Sequence, residues 1–156
     1  MQPAFDQQLL SDVFYGDAAL IHGLAADDEA VLGMVQQMKS ACRPVRQWLV
    51  LDVLLSSEHS DALQQQGLHP SVVFACKPVV KADGSHTSQS VLTGYQRAFQ
   101  GCIFQTADDE LYLLVGRGGR KWISAQALDA LKRYVASEPM VEVSRPRKAE
   151  AQIKES

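Results

Sequence analysis

The chain has 156 residues, 46% of them hydrophobic and 21% charged, with a formal charge of −3 and a pI near 5.8. That length and apolar content suit one domain around one core, and the charge gives no overall attraction to nucleic acid or to an anionic membrane. No apolar run approaches the roughly 18 to 20 residues of a membrane span, and Met1-Gln2-Pro3-Ala4-Phe5-Asp6 lacks the basic start of a secretion signal, so no membrane contact and a cytoplasmic location are expected.

Phe5, Leu9, Leu10 and Val13 repeat at helical spacing behind Pro3, which predicts a first helix from Pro3 to about Phe14, stopped by Gly16. A short connector with Ile21 and His22 follows. Asp27-Asp28-Glu29 places carboxylates where a helix amino terminus favours them, and the stripe Val31, Leu32, Val35, Met38 carries that helix towards Ser40. Residues 46–55 are β-branched and aromatic enough, and short enough, for a central strand largely covered on both faces. Ser56 or Ser57 caps a helix through Gln66, with Gly67 as its carboxyl-terminal cap. Val72–Cys76 reads as a strand ending near Pro78, and the small polar residues 82–90 as a loop. Strands over about 101–106 and 111–115 flank Ala107-Asp108-Asp109-Glu110 as a hairpin. Gly116-Arg117-Gly118-Gly119-Arg120-Lys121-Trp122 then reads as a turn leading to a last helix, capped by Ser124 and running to Val135. From Ser137 the chain is charged and poor in large apolar residues, the composition of a flexible tail.

These elements predict an α+β fold: a single domain over 1–136 with a tail at 137–156, built on a small antiparallel or mixed sheet. Four to five strands, packed with three to four helices on one side, are expected.

The turn at 116–122 is the leading candidate for chemistry. Gly116, Gly118 and Gly119 let backbone amides face inward as an anion nest, Arg117, Arg120 and Lys121 add positive charge, and Trp122 offers a stacking face. Its spacing is not that of a nucleotide-binding loop, and the plainer reading is a connection with solvated charges and a core tryptophan. Asp52, between Leu51 and Val53, is a carboxylate in the most apolar strand. It requires a partner, expected to be an arginine from the second half, and its second reading is a functional carboxylate. Cys42, Cys76 and Cys102 match neither a disulfide framework nor a zinc site and read as buried thiols. No short-range pairing joins His22, His59, His69 and His86, so no metal and no cofactor is expected. Residues 1–66 hold nine carboxylates against three Lys or Arg, and residues 67–136 five against eight, which permits a two-sided surface.

Pro70-Ser71-Val72-Val73-Phe74-Ala75, Asp83-Gly84, Gly101–Thr106 and Leu113–Lys121, with the strand Trp48–Val53 before them, resemble an uncharacterised domain-of-unknown-function family of proteobacteria, pseudomonads especially, and their phages. The resemblance spans roughly 20–132 and carries over Gly116, Arg120 and Lys121 first. It implies a setting of phage or mobile-element gene content and no mechanism. The expected role is a non-catalytic binding or regulatory protein, such as an accessory or inhibitory factor, with a protein partner first and nucleic acid second. The alternatives are a nucleic-acid- or nucleotide-directed enzyme using Asp52, His86 or a cysteine, and a structural subunit that forms homo-oligomers through a sheet edge.

Overall fold

The computed structural model describes residues 3–38, 41–78, 86–87, 90–137 and 142–143. Most of the polar loop at 82–90 and of the segment 138–156 therefore lies outside the described residues. In chain order the elements are α1 (Pro3–Tyr15), β1 (Ala19–His22), α2 (Asp28–Gln36), β2 (Cys42–Leu54), α3 (Ser57–Gln65), β3 (Ser71–Pro78) and β4 (His86–Thr87). Then come β5 (Val91–Leu92), β6 (Gln96–Gln100), β7 (Ile103–Thr106), β8 (Leu111–Leu114), β9 (Arg117–Ser124), α4 (Ala125–Ser137) and β10 (Glu142–Val143).

The fold is α+β, but its main sheet has eight strands rather than four to five. The connector at Ile21 is β1, the stretch before the hairpin holds β5 and β6, and the glycine-rich segment expected as a turn is the eight-residue strand β9. Glu142–Val143, within the segment expected as tail, pairs antiparallel with His86–Thr87.

β2 organises the sheet. One edge runs antiparallel to β3; the other is parallel to β8 over residues 42–45 and parallel to β9 over residues 49–54. Gln47 has φ 54°, a left-handed residue between these two halves, and the β2–β3 register stays constant across it. Side-chain parity changes at this residue, so Cys42 before it and Leu49, Leu51 and Val53 after it share a face. Helices cover that face: α1 and α4 pack on Leu51, Val53, Phe74 and Ile123, and α2 packs through Val31 on Cys42, Leu113 and Val115. The opposite face holds Val45, Trp48, Val50, Val73, Phe104 and Tyr112, covered as β6 and β7 curl over it. A bridge from His69 to Gln96 ties that curl back to the start of β3.

Caps expected from sequence are in place. Ser56 and Ser124 side chains accept from the amides of His59 and Ala127, and Gly67, with φ 75°, ends α3 as its amide bonds Gln64 O. Cys42 is buried, with burial raising its thiol pKa, whereas Cys76 is exposed and Cys102 half-buried, so the reading of three buried thiols holds for one.

The charge asymmetry also has a structural outlet. Asp6 and Asp52 from the first part of the chain pair with Arg133 and Arg120 from the second, so part of the imbalance closes internally between packed elements.

Candidate functional site

β9 lies between β1 and β2, and its backbone groups serve two ladders, antiparallel to β1 and parallel to β2. Amides committed to neighbouring strands cannot turn inward as an anion nest, so the glycines have other work. Gly116 has φ 74°, a conformation that side-chain-bearing residues adopt poorly, where β8 passes into β9. Gly118 lies under the Trp48 indole: a Cβ there would fall 2.5 Å from ring atoms Cε2 and Cε3. Gly119 fits against Leu49 and Ala18, whose side-chain atoms would stand 3.0 and 3.1 Å from an added Cβ. Trp48 itself is buried, with Nε1–H donating to Val115 O at 3.1 Å. The glycines thus let a large indole lie flat on a strand.

Two of the three cations are turned inward. Arg120 donates from Nε to Asp52 Oδ2 and from Nη2 to Asp52 Oδ1, both at 2.8 Å, a bidentate fork across β9 and β2. Ser71 Oγ on β3 donates to Asp52 Oδ1 at 2.5 Å. Asp52 is 6% exposed, and burial works to raise its pKa. The hydrogen bonds from Arg120 and Ser71, with the charges of Arg120 and His69, outweigh that and hold it below the usual aspartate value. The carboxylate is therefore ionised, paired and held by three hydrogen bonds. It has the arginine partner from the second half that its sequence position demands. It has no proton to donate at neutral pH.

Lys121 points to the helix-covered face. Its Nζ donates to Asp12 O at 2.6 Å and Val13 O at 3.1 Å, carbonyls of the last turn of α1. Gly16 completes that cap, its amide bonding Asp12 O at 3.0 Å. Replacing Lys121 with Met keeps the stem and removes the donor, and is expected to cost about 1 kcal/mol, read as a lower urea midpoint with unchanged slope.

Arg117 and Trp122 are left outward. Arg117 is exposed and has no ion-pair partner among the described residues. Trp122 is 64% exposed, which overturns its reading as a core side chain. Its register partner is Asp52, so it shares a face with Leu54, two residues on along β2 and 58% exposed. That face is the one curled over by β6 and β7 at the other end of β2, and the curl does not reach this end. Trp122 and Leu54 border a groove of about 410 Å³ closed by Ser60 and Gln64 of α3 and by Leu68 and His69.

The structure thus separates the seven residues of the segment. It brings Arg120 to Asp52, sends Lys121 to α1, and leaves Trp122 beside Leu54. Sequence reasoning missed Ser71 and Leu54. The apolar pair Leu54-Leu55 just before the Ser56 cap carries a signal for the second, since one of two adjacent strand residues faces away from the helices. Among the described residues no cluster of three or more His, Cys, Asp or Glu could hold a metal, and no helix is long and apolar enough to cross a membrane. The side chain of His86 lies outside the described residues.

Comparison with curated proteins and with solved structures gives no match. A family model described as a domain of unknown function, DUF6957, matches residues 22–130, from the end of β1 into α4, and so takes in β2, β9, Asp52, Trp122 and the whole curled sheet. More than half of the chain lies inside that match, and the chain belongs to the DUF6957 family.

Proposed function

We propose that this chain is a non-catalytic, cytoplasmic binding protein that engages a protein partner through the face carrying Trp122 and Leu54. The observation that supports the reading is the 64% exposure of a tryptophan on β9, just past the end of the β1 ladder, which borders one groove together with a second large exposed apolar side chain. Tryptophan is rarely left in water at such a position, and it is the residue type that most often anchors protein interfaces. The groove suits an apolar side chain of the partner, with Ser60, Gln64 and His69 at its rim to satisfy polar groups.

A protein partner is favoured over nucleic acid because Arg120 and Lys121 are spent on Asp52 and on α1. Arg117 is then the cation of this segment left to meet a phosphate. An enzymatic use of Asp52 lacks support, since the carboxylate is ionised and engaged by Arg120 and Ser71. In the phage or mobile-element setting that the family resemblance implies, such a protein acts as an accessory or inhibitory factor.

The test is quantitative capture from native host extract. The wild-type chain is expected to recover a stoichiometric protein, and Trp122→Ala to lose it by at least tenfold, while both proteins unfold at the same urea concentration. Equal recovery by Trp122→Ala, or retention on DNA or RNA that falls steeply with salt and needs Arg117, would overturn the reading.

A further inference from the structure

β1, four residues long, ends the sheet, and apart from that shortness its outer edge lacks the devices that usually keep an edge from pairing. Gly23 N–H donates to Gly116 O at 2.8 Å, which sets the alternation of the antiparallel ladder with β9. Ala19, Ile21 and Gly23 are the inward-bonding residues, so the N–H and C=O of Leu20 and His22 point away from the sheet. At the opposite end of the sheet β6 is guarded: its register shifts between Gln96 and Ala98, Arg97 sits in that irregularity, and the His69 bridge engages Gln96. β1 has no proline, no lysine and no bulge. Leu20 is 61% exposed and Tyr15, just before it at the end of α1, is 84% exposed.

The edge also has oppositely charged ends. Asp17 precedes Ala19, and Arg117 is in register with His22 at the other end of β1. Both are exposed, and neither has an ion-pair partner among the described residues. An antiparallel two-fold approach brings the acidic end of one edge to the basic end of the other, twice. A parallel approach would set like charges together.

We infer that the β1 edge is an isologous interface at which a second copy of this chain adds its own β1 antiparallel, joining two eight-stranded sheets into one. Leu20 lies opposite Leu20 of the second copy, with the two tyrosines at position 15 flanking the pair. Asp17 of each copy approaches Arg117 of the other. Outward backbone groups of Leu20 and His22 gain partners, and four exposed apolar side chains leave water. Trp122 projects from the opposite face, so the dimer presents two Trp122 surfaces and can hold a partner bivalently.

Sedimentation equilibrium on the full chain at submillimolar concentration reads the result directly. The wild-type protein is expected at twice its 17.1 kDa chain mass. Leu20→Lys, a change at an exposed position, is expected at the monomer mass with an unchanged circular dichroism spectrum. Asp17→Arg or Arg117→Asp alone weakens the dimer several-fold, and the double reversal restores it at low ionic strength. Should Leu20→Lys fail to fold, this pair of exposed charges decides. A wild-type chain that remains a monomer over the whole concentration range overturns the inference. So does a dimer indifferent to Leu20→Lys and to both single reversals. Trp122→Ala keeps the dimer mass in this arrangement, so loss of the partner and loss of the dimer are read separately.

Discussion

Arg120→Met is expected to lower the unfolding free energy by about 3 kcal/mol, the low end of the range for breaking a buried ion pair by removing one partner. The low end applies because the guanidinium is 34% exposed, while the Asp52 side chain it serves is 8% exposed. Without Arg120, Asp52 keeps the Ser71 hydrogen bond but loses both charge-assisted ones, and an apolar neighbour replaces its counter-ion. Urea unfolding should show a lower midpoint with an unchanged slope. The double variant Asp52→Asn with Arg120→Met should recover a good part of the loss, because removing both charges abolishes the desolvation that one alone incurs.

The pair also sets a pH dependence. Asp52 is held below its unfolded value of about 3.9, so the folded state binds this proton more weakly than the unfolded state does. Its contribution is fully present above about pH 4 to 5 and is lost as pH falls through the depressed folded value. Stability of the wild-type protein should therefore drop steeply on acidification below that window, and Asp52→Asn should flatten that limb. An acid limb of the same steepness in Asp52→Asn would show that the pair is not its source.

Gly118→Ala should be about as damaging, at about 3 kcal/mol or more, by overpacking rather than by charge. The added carbon would enter the Trp48 ring system, and Trp48 cannot retreat: it is buried and held through Nε1–H to Val115 O. Relief requires separating β9 from β2, along the central parallel ladder of the sheet. Thermal unfolding is the simplest measurement, and Gly118→Ala combined with Trp48→Phe should lose less than the two single changes summed, because a smaller ring makes room. If Gly118→Ala unfolds like the wild-type protein, the close stacking of indole on strand is wrong.

These two results bear on why the glycine-rich segment is hard to read. Three glycines and three cations in seven residues have the composition of a turn, and alternation of apolar residues, the usual mark of a strand, is missing from Arg117 to Lys121. The missing side chains are supplied from elsewhere. Trp48 covers Gly118, Leu49 fills the place beside Gly119, and Asp52 neutralises Arg120. None of these is near in sequence, so a local pattern could not show that the segment is an inner strand. β1 and β6 were hidden for a related reason: Ala19–His22 and Gln96–Gln100 are short, half-exposed strands whose existence rests on a ladder with a distant neighbour.

Local physics was sufficient where an element carries its own determinants. Four helices with their Ser56, Ser124 and Gly67 caps, the 103–114 hairpin, the central position of β2 and the need of Asp52 for an arginine are all written in neighbouring residues, because capping, periodicity and the cost of a lone buried charge act over a few residues. Which arginine answers Asp52, which cation ends α1 and which apolar residue stays in water depend on how the left-handed Gln47 changes the faces of β2 and on where the curl of β6 and β7 stops. Those are relations between strands far apart in the chain. The segment from Gly116 to Trp122 looked like one basic surface in sequence; strand alternation and long-range pairing divide it into a packing floor, two internal counter-charges and an exposed indole.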